Sequence, residues 1–234
     1  MTEARPLGDP VGDWTPPPAP PREPIEGRWT RLVPFDPARH AAEIHAANDG
    51  SVSMWDYMPN GPFADYDSYI AWAEEAAKSS DPLFFAVIDK TDGKAKGVVS
   101  YLRITPVMGV IEVGNIAFSP PLQRTREGTE AMYLMMRRAF ELGYRRYEWK
   151  CNHFNSPSRR LAQRLGLSFE GVFRRHMVVK GRNRDTAWYA AIDAEWPQLR
   201  AAFETWLAPD NFDGNGRQRQ SLTPLTRPIL VATG

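Results

Sequence analysis

The hydrophobic positions of this chain recur with two periods, which mark helices and strands along the sequence. Apolar residues at helical spacing are densest in one segment, at Met132, Met135, Met136, Ala139 and Phe140. This stripe predicts an amphipathic helix over about residues 126–143, with its apolar face against a sheet. Residues 145–151 then alternate strictly between apolar and charged side chains, which predicts a strand with one solvent-exposed face.

Weaker versions of both patterns cover most of the remaining chain. Further strands are predicted at residues 27–35, 83–89, 95–105, 110–118, 167–173 and 186–192. Further helices are predicted at residues 37–48, 65–79, 155–165 and 196–207. A Thr-Asp-Gly-Lys turn at residues 91–94 separates two of the strands, so we expect the strands between residues 83 and 118 to form an antiparallel meander.

The chain length favours one domain, at residues 25–207, with a tail at each end. Residues 1–24 are dense in proline and nearly free of aliphatic side chains, which predicts an extended arm. Trp14 could anchor that arm on the body or on a second copy, although the composition favours an unstructured leader. Residues 208–234 are predicted to form a mobile tail, although residues 228–231 could attach it to another part of the protein. The two tails could exchange between subunits, so the sequence does not decide between a monomer and a homodimer.

Composition narrows the functional classes. The formal net charge is +1, which gives no global attraction to nucleic acid or to a membrane. A single cysteine excludes an internal disulfide and fits a reducing compartment. The opening residues contain no apolar run, so we expect no signal peptide, no membrane span and a cytoplasmic location. Four scattered histidines lack metal-ligand spacing, and no metal is expected.

The segment from Ile111 to Thr129 carries the strongest functional signal. Its sequence predicts a strand that ends at a double proline, a loop rich in Gln, Arg and Thr, and the start of the long helix. A helix start collects backbone N–H groups without acceptors at the positive end of the helix dipole. Such a junction therefore suits a phosphate group.

Three motifs in this order resemble the GNAT acyltransferase family. The loop LQRTREGTEA is similar to the family's Q/R-x-x-G-x-G/A loop followed by T-E-A. Asn155 to Ser158, followed by RLGLSFEG, is similar to the next family motif, and FRR…KGRNRDT at 173–186 to a terminal hairpin. The resemblance covers about residues 27–197 and is closest to the ribosomal-protein N-terminal acetyltransferases. It implies an α+β fold, a mixed central sheet of about seven strands flanked by helices.

The resemblance also implies acetyl-CoA as cosubstrate, bound between the fourth and fifth family strands. Ile116, Ala117 and Phe118 would lie alongside the pantetheine arm and pair with it through backbone groups. The pyrophosphate would be held by the loop and helix start, that is by Gln123, Arg124, Thr125, Arg126, Glu127, Gly128 and Thr129. Asn155 and Ser158 stand at the start of the next helix, where the family's Asn contacts the pantetheine and neighbouring residues approach the nucleotide half. The simpler role for Asn155 is a helix N-cap, and both roles are compatible.

Two departures from the family pattern matter. Arg124 and Arg126 stand where the family has glycine, which allows backbone to approach phosphate and to adopt positive φ. These arginines could destroy the phosphate site, form a solvated basic rim, or bind the phosphate through their guanidinium groups in place of backbone N–H groups. We favour the last of these interpretations. Ala162 stands where many relatives carry a tyrosine proposed to protonate the leaving thiolate. A thiol with a pKa of roughly 8.5 is a tolerable leaving group without it.

Acetyl transfer to an amine needs a base and a polarised thioester. The base is predicted to be Glu112, with an ion-pairing role for this residue weighed equally. Asn115 either orients the acceptor or is a bulge residue. The sequence thus predicts an N-acetyltransferase that moves acetyl from acetyl-CoA to a primary amine by direct attack, in a small molecule or peptide N-terminus. The alternative is an inactive acyl-CoA sensor or scaffold with the same fold.

Other candidates are weaker. The aromatic loop, residues 51–64, could line an acceptor pocket or cover the core. The basic hairpin around residues 174–184 could attract an acidic substrate or RNA, but a solvated edge is the more common reason for such charge, and a nucleic-acid partner is not expected. Cys151 next to His153 is interpreted as an inert core cysteine.

Overall fold

The computed structural model describes residue 5 and residues 7–48 and 50–234. One mixed sheet of eight strands runs through it, in the order β1-β2-β3-β4-β5-β6-β8-β7. The strands are β1 (Ile25–Glu26), β2 (Thr30–Pro34), β3 (Leu83–Asp89), β4 (Ala95–Thr105), β5 (Val110–Phe118), β6 (Arg146–Asn152), β7 (Ser168–Val179) and β8 (Arg182–Ile192). The predicted fold class is confirmed, and β1 is the strand that the sequence patterns did not predict.

Helices flank the sheet on both faces. They are α1 (Pro37–Ala47), α2 (Tyr66–Lys78), α3 (Arg126–Glu141), α4 (Ser156–Arg164), α5 (Trp196–Leu207) and α6 (Thr223–Thr226). Asp36 caps α1 and Asp65 caps α2 through side-chain acceptors, so local sequence sets where these helices begin. Among the described residues, each helix is too short or too polar to cross a lipid bilayer.

Two hydrophobic clusters occupy opposite faces of the sheet. The apolar stripe of α3 packs with α5 on one face, where Met132, Met135 and Phe203 are buried. On the other face α1 and α2 cover β3 and β4, with Ile44 and Tyr69 buried. Of the central strand β5, Ile111, Val113 and Phe118 pack in the first cluster and Ala117 packs in the second.

The sheet opens between β5 and β6. These strands are parallel neighbours, and they pair only from Val110 to Val113 with Arg146 to Trp149. Beyond Val113 the two strands separate. On its other side β5 carries a bulge, because Ser100 pairs with Gly114 while Val98 pairs with Ala117. Asn115 takes up the extra residue at a φ of 49°.

Both tails pack on the domain. In the arm, Pro17 and Pro20 are buried, and Tyr144 Oη donates to the Pro18 carbonyl at 3.2 Å. The arm is therefore not the unstructured leader that its composition favours, although residues 1–4 and 6 lie outside the described residues. In the C-terminal tail Leu222 and Thr226 are fully buried. Because these residues are buried, the prediction of a mobile C-terminal tail is wrong. The division of the chain into an arm, a domain and a tail stays a prediction.

Candidate functional site

A cleft of about 1970 Å³ follows the line along which β5 and β6 separate. One end, which we call the α3 end, is walled by the loop before α3, by α4 and by the C-terminal tail. The other end, the hairpin end, is walled by the aromatic loop and by β7 and β8. The parallel pairing of β5 with β6 creates this cleft, because diverging strands leave a gap that no third strand fills.

The α3 end presents unpaired backbone donors. Thr125 is the N-cap, and its Oγ1 accepts from the N–H of Gly128 at 3.0 Å. Across residues 7–48 and 50–234, the N–H groups of residues 124–127 donate to no protein acceptor. Four neighbouring donors at the positive end of a 16-residue helix form a ready anion site.

Backbone geometry at the same turn explains the glycine preference of the family motif. Arg124 has a φ of 60°, in the left-handed region that favours glycine. A methyl group on Gly128 would lie 2.6 Å from the Leu122 carbonyl oxygen, so this position needs glycine for close approach. The turn thus keeps the conformation of a glycine loop with arginine at residue 124.

The two arginines of the turn differ in their surroundings. The Arg126 guanidinium carbon lies 3.5 Å from the centroid of the Trp29 ring, and Nη2 lies 2.7 Å from Oε1 of Glu127. These contacts hold both Arg126 and Glu127 in the wall of the cleft. The Arg124 side chain is exposed, and no carboxylate in the described chain pairs with it.

Arg164 is a cleft residue that the sequence patterns missed. Its Nη1 donates to Oγ1 of Thr129 at 3.2 Å, and its guanidinium carbon lies 5.0 Å from the Trp206 ring. Burial lowers the pKa of this guanidinium, which has no carboxylate partner among the described residues. In the sequence pattern of residues 155–165, Leu161, Ala162 and Leu165 share the apolar face and Arg164 lies outside it. However, Ser158, Leu161 and Arg164 recur every three residues, and this row lines the cleft.

The end of β5 lies along the middle of the cleft. Ile116 and Phe118 line the cleft. The carbonyl of Phe118 accepts from Nε2 of Gln123 at 2.7 Å, which ties the turn to the strand. Ala117 faces the opposite side of the sheet and packs in the α1–α2 cluster, so only its backbone lies along this edge.

Asn155 and Ser158 sit at the start of α4, beside the same gap. Oδ1 of Asn155 accepts from the N–H of Ser158 at 3.1 Å, which is the predicted N-cap. Oγ of Ser158 accepts from Nε1 of Trp149 at 3.0 Å. Both residues also line the cleft, so the capping role leaves a ligand-binding role open.

Glu112 lies in the cleft wall with two cationic partners. Its side chain is 4% exposed, and Oε2 accepts from Arg103 Nη1 and from Lys150 Nζ, each at 2.7 Å. In the part of the chain that the structure describes, Oε1 accepts no hydrogen bond. The ion pairs hold the carboxylate in place, and one oxygen stays free to accept a proton or a hydrogen bond.

The ion pairs of Glu112 continue along β6. Lys150 also pairs with Glu148, and Arg146 Nε lies 2.7 Å from Oε1 of Glu148. Burial acts to raise the pKa of Glu148, but hydrogen bonds from Lys150 and Arg146 outweigh it and leave that pKa lowered. The charged face of β6 is therefore a largely buried charge network, and the prediction of a solvent-exposed face is wrong because the ion pairs allow these side chains to be buried.

Asn115 is the bulge residue of β5. Its Nδ2 donates to Oγ of Ser100 at 2.9 Å, and Ser100 Oγ donates in turn to the Gly114 carbonyl at 3.2 Å. These bonds hold the side chain against β4. The bulge interpretation is thus confirmed, and a role in orienting the acceptor stays a prediction.

Other predicted candidates have plain structural roles. Cys151 borders the cleft, and burial raises the pKa of its thiol, which suppresses the reactive thiolate. Ala162 is fully buried in the core. No group of three or more His, Cys, Asp or Glu side chains able to hold a metal ion occurs among the described residues.

The aromatic loop divides between the two predicted roles. Trp55 is buried, and Phe63 packs edge-on against its ring at 5.1 Å between centroids. Met54, Tyr57 and Met58 line the hairpin end of the cleft. Because Met54 and Met58 also pack against the core, the loop covers the core and walls the cleft with partly the same side chains.

The hairpin formed by β7 and β8 closes on this loop. Nζ of Lys180 donates to the carbonyls of Trp55 and Asn60, at 2.8 and 3.2 Å. Met177, Val179 and Arg184 complete the wall.

Charge is strongly uneven along the cleft. Of the described residues that line it, nine carry a positive side chain: Arg103, Arg124, Arg126, Lys150, Arg160, Arg164, Arg184, Arg217 and Arg227. Only Glu112 and Glu127 are acidic. The chain as a whole has a net charge of +1, so the cleft concentrates positive potential suited to an anionic ligand.

Comparison with known proteins places this geometry in a family. Residues 30–168 match the model of the acetyltransferase (GNAT) domain. A GCN5-related N-acetyltransferase from Brucella melitensis is 47% identical, with a TM-score of 0.90 over 93% of this chain and 100% of that one. A protein from Chromobacterium violaceum, described as a probable GNAT-family acetyltransferase, is 38% identical, with a TM-score of 0.78 over 84% of this chain and 100% of that one. No curated protein matches the chain.

A more distant structure concerns the predicted branch. The acetyltransferase from Salmonella typhimurium that modifies the N-terminal serine of a 50S ribosomal subunit protein is 17% identical, with a TM-score of 0.63 over 73% of this chain and 99% of that one. This likeness shows the fold alone. From the family match and the first two relatives, the chain belongs to the GNAT family and is an acetyl-CoA-dependent acyltransferase.

Proposed function

We propose that this protein transfers the acetyl group of acetyl-CoA to a primary amine by direct attack within a ternary complex. The observation that carries the proposal is the set of unpaired N–H groups at residues 124–127, which opens onto the gap between β5 and β6. An anion site at one end of a cleft and a free carboxylate oxygen near its middle can align two substrates. Alignment alone can supply about 7–11 kcal/mol of the barrier.

The α3 end would hold the diphosphate. The N–H groups of residues 124–127 would donate to its oxygens, and the Arg164 and Arg124 guanidiniums would add charge-assisted contacts. The pantetheine would run along Ile116 and Phe118 toward the bulge at Asn115, with Asn155 and Ser158 on the opposite wall. Backbone N–H groups near Ala117 and Phe118 would meet the thioester oxygen.

Glu112 is proposed as the base. The neutral amine attacks the acetyl carbon with its lone pair, and the new carbon–nitrogen bond forms while the carbon–sulfur bond breaks, so that CoA leaves with the sulfur electron pair. The nitrogen gives up one proton as the amide forms, and Oε1 of Glu112 is free to accept that proton directly or through water. The leaving thiolate is stable enough to depart unaided near its pKa of roughly 8.5.

For the acceptor, we propose only its chemical class, a primary amine. A peptide N-terminus, as in the Salmonella relative, and a small-molecule amine both suit a cleft that is open at the hairpin end. The Met54, Tyr57 and Met58 side chains would contact the acceptor, since flexible and aromatic groups adapt to varied partners.

Two measurements test this function. Calorimetry should show acetyl-CoA binding, and Arg164→Gln should weaken it about tenfold, whereas Arg200→Gln on the outer surface of α5 should not. Thiol release over a panel of amines should then show turnover. Binding without thiol release from any amine would identify an acyl-CoA sensor instead.

A further inference from the structure

One guanidinium at the hairpin end has no counter-ion. Arg184 lies on β8, is half-buried and lines the cleft. Its Nε donates to Oγ1 of Thr186 at 3.2 Å. No carboxylate of the described chain lies within ion-pair distance of it, and burial lowers the pKa of the group, with Arg103 acting in the same direction.

The neighbouring cations are neutralised. Arg103 and Lys150 both pair with Glu112, and Lys150 also pairs with Glu148. Glu112 favours the charged form of Arg184 from a distance, but its ion pairs are with Arg103 and Lys150 and not with Arg184. A partly desolvated cation without a partner is costly, so its retention in a binding cleft points to a ligand that supplies the anion.

The rest of the hairpin provides a contrast. Arg174, Arg175 and Arg182 are exposed to solvent, which fits the ordinary role of charge on a sheet edge. Lys180 is used to bind the aromatic loop. Arg184 is the hairpin cation that faces the cleft.

We propose that the acceptor amine carries an anionic group, a carboxylate or a phosphate, which Arg184 binds while the amine lies toward Glu112. This inference rests on the proposed transferase function, because it concerns the second substrate of that reaction. Arg184 and Glu112 line one cleft but are more than the 4.0 Å ion-pair limit apart. An acceptor with its amine and its anion a few bonds apart would place the amine near the free oxygen of Glu112 and supply the counter-ion of Arg184.

Matched amine pairs test the proposal. The carboxylate arm compares β-alanine with β-alaninamide, and the phosphate arm compares phosphoethanolamine with ethanolamine, at saturating acetyl-CoA. In at least one arm we expect kcat/KM to be about tenfold or more higher for the anionic member, mainly through KM, since a charge-assisted contact is worth about one to two factors of ten. The arm that shows the preference identifies the anion.

Variants then locate the preference. Arg184→Gln should remove the tenfold advantage of the anionic member, Arg184→Lys should keep part of it, and the control Arg182→Gln on the same hairpin should keep all of it. Acetyl-CoA binding by calorimetry should be the same in all variants, because Arg184 is at the other end of the cleft from the α3 turn.

The outcomes separate this inference from the proposed function. Equal turnover of charged and neutral members, or an Arg184→Gln protein that keeps the preference, would overturn the inference alone. Acetyl-CoA binding without thiol release from any amine would overturn the transferase proposal, and this inference with it.

Discussion

The α3 end and the hairpin end of the cleft use different chemistry. At the α3 end the donors are backbone N–H groups at residues 124–127, held by a capped helix. At the hairpin end the polar groups are side chains, and most of their charge is already paired through Glu112. Backbone donors suit a ligand part that never varies. Side chains can be changed one at a time, which suits an acceptor.

The first test of this comparison concerns the contacts that hold α3, and with it the α3 end of the cleft, in place. The buried Glu130 carboxylate accepts from the N–H groups of Arg28, Trp29 and Thr30 at 2.8, 2.6 and 2.7 Å. Glu130→Ala should lower the free energy of unfolding by about 3 kcal/mol, because it leaves several donors unpaired. Urea denaturation measures this.

A matched control lies on the same helix. Glu141 is about half exposed, with one weak contact to Arg137 at 3.9 Å. Glu141→Ala should change stability by less than about 0.5 kcal/mol. Similar losses in the two variants would show that α3 is not anchored through Glu130.

The second test concerns the charge network. If Glu112 accepts the proton of the amine, Glu112→Gln should lower kcat about 100-fold. Glu148→Gln is the control, because Glu148 shares Lys150 but does not line the cleft. Stopped-assay thiol detection measures both. An equal fall in kcat for the two variants would make Glu112 a structural ion-pair partner.

The third test concerns the backbone at the α3 end. An added methyl at Gly128 would lie 2.6 Å from the Leu122 carbonyl oxygen, so Gly128→Ala must displace the turn. We expect acetyl-CoA affinity to fall about tenfold and stability by about 1–3 kcal/mol. Gly8→Ala is the control, since a methyl group there meets nothing within 4 Å. Unchanged affinity in Gly128→Ala would mean that the turn does not bind the cosubstrate.

Sequence patterns predicted the α3 end better than the hairpin end, for a physical reason. The unpaired donors follow from the start of a helix, and a helix start is a local property of the chain. Glu112 could be chosen as a candidate, but its pairing with Arg103 and Lys150 depends on strand register. The stacking of Arg126 on Trp29 joins segments far apart in sequence, so no local pattern contains it.

The same reason explains the tails and the fold. Periodicity predicted seven of the eight strands and five of the six helices of the described chain, because each repeat is local. The proline-rich arm has no such repeat, and it is held by contacts with distant segments, such as the Ala77 carbonyl and Tyr144. Likewise the C-terminal tail is held where Val231 N–H donates to Oγ of Ser168 at 3.0 Å. Composition alone therefore predicted two mobile tails, whereas both make specific contacts with the domain.

The smallest expected effect concerns Arg124, where a charge and a strained backbone coincide. Its φ of 60° costs roughly 1 kcal/mol for a residue other than glycine. Arg124→Ala removes the charge and keeps the backbone cost, whereas Arg124→Gly removes both. If the guanidinium contacts the diphosphate, both variants should bind acetyl-CoA about threefold to tenfold more weakly, with a smaller dependence on salt. Only the glycine variant should regain stability, by a few tenths to about 1 kcal/mol. Equal or tighter binding by both would show that Arg124 does not contact the diphosphate, which would leave the backbone donors and Arg164 to hold it and would sharpen the contrast between the two ends of the cleft.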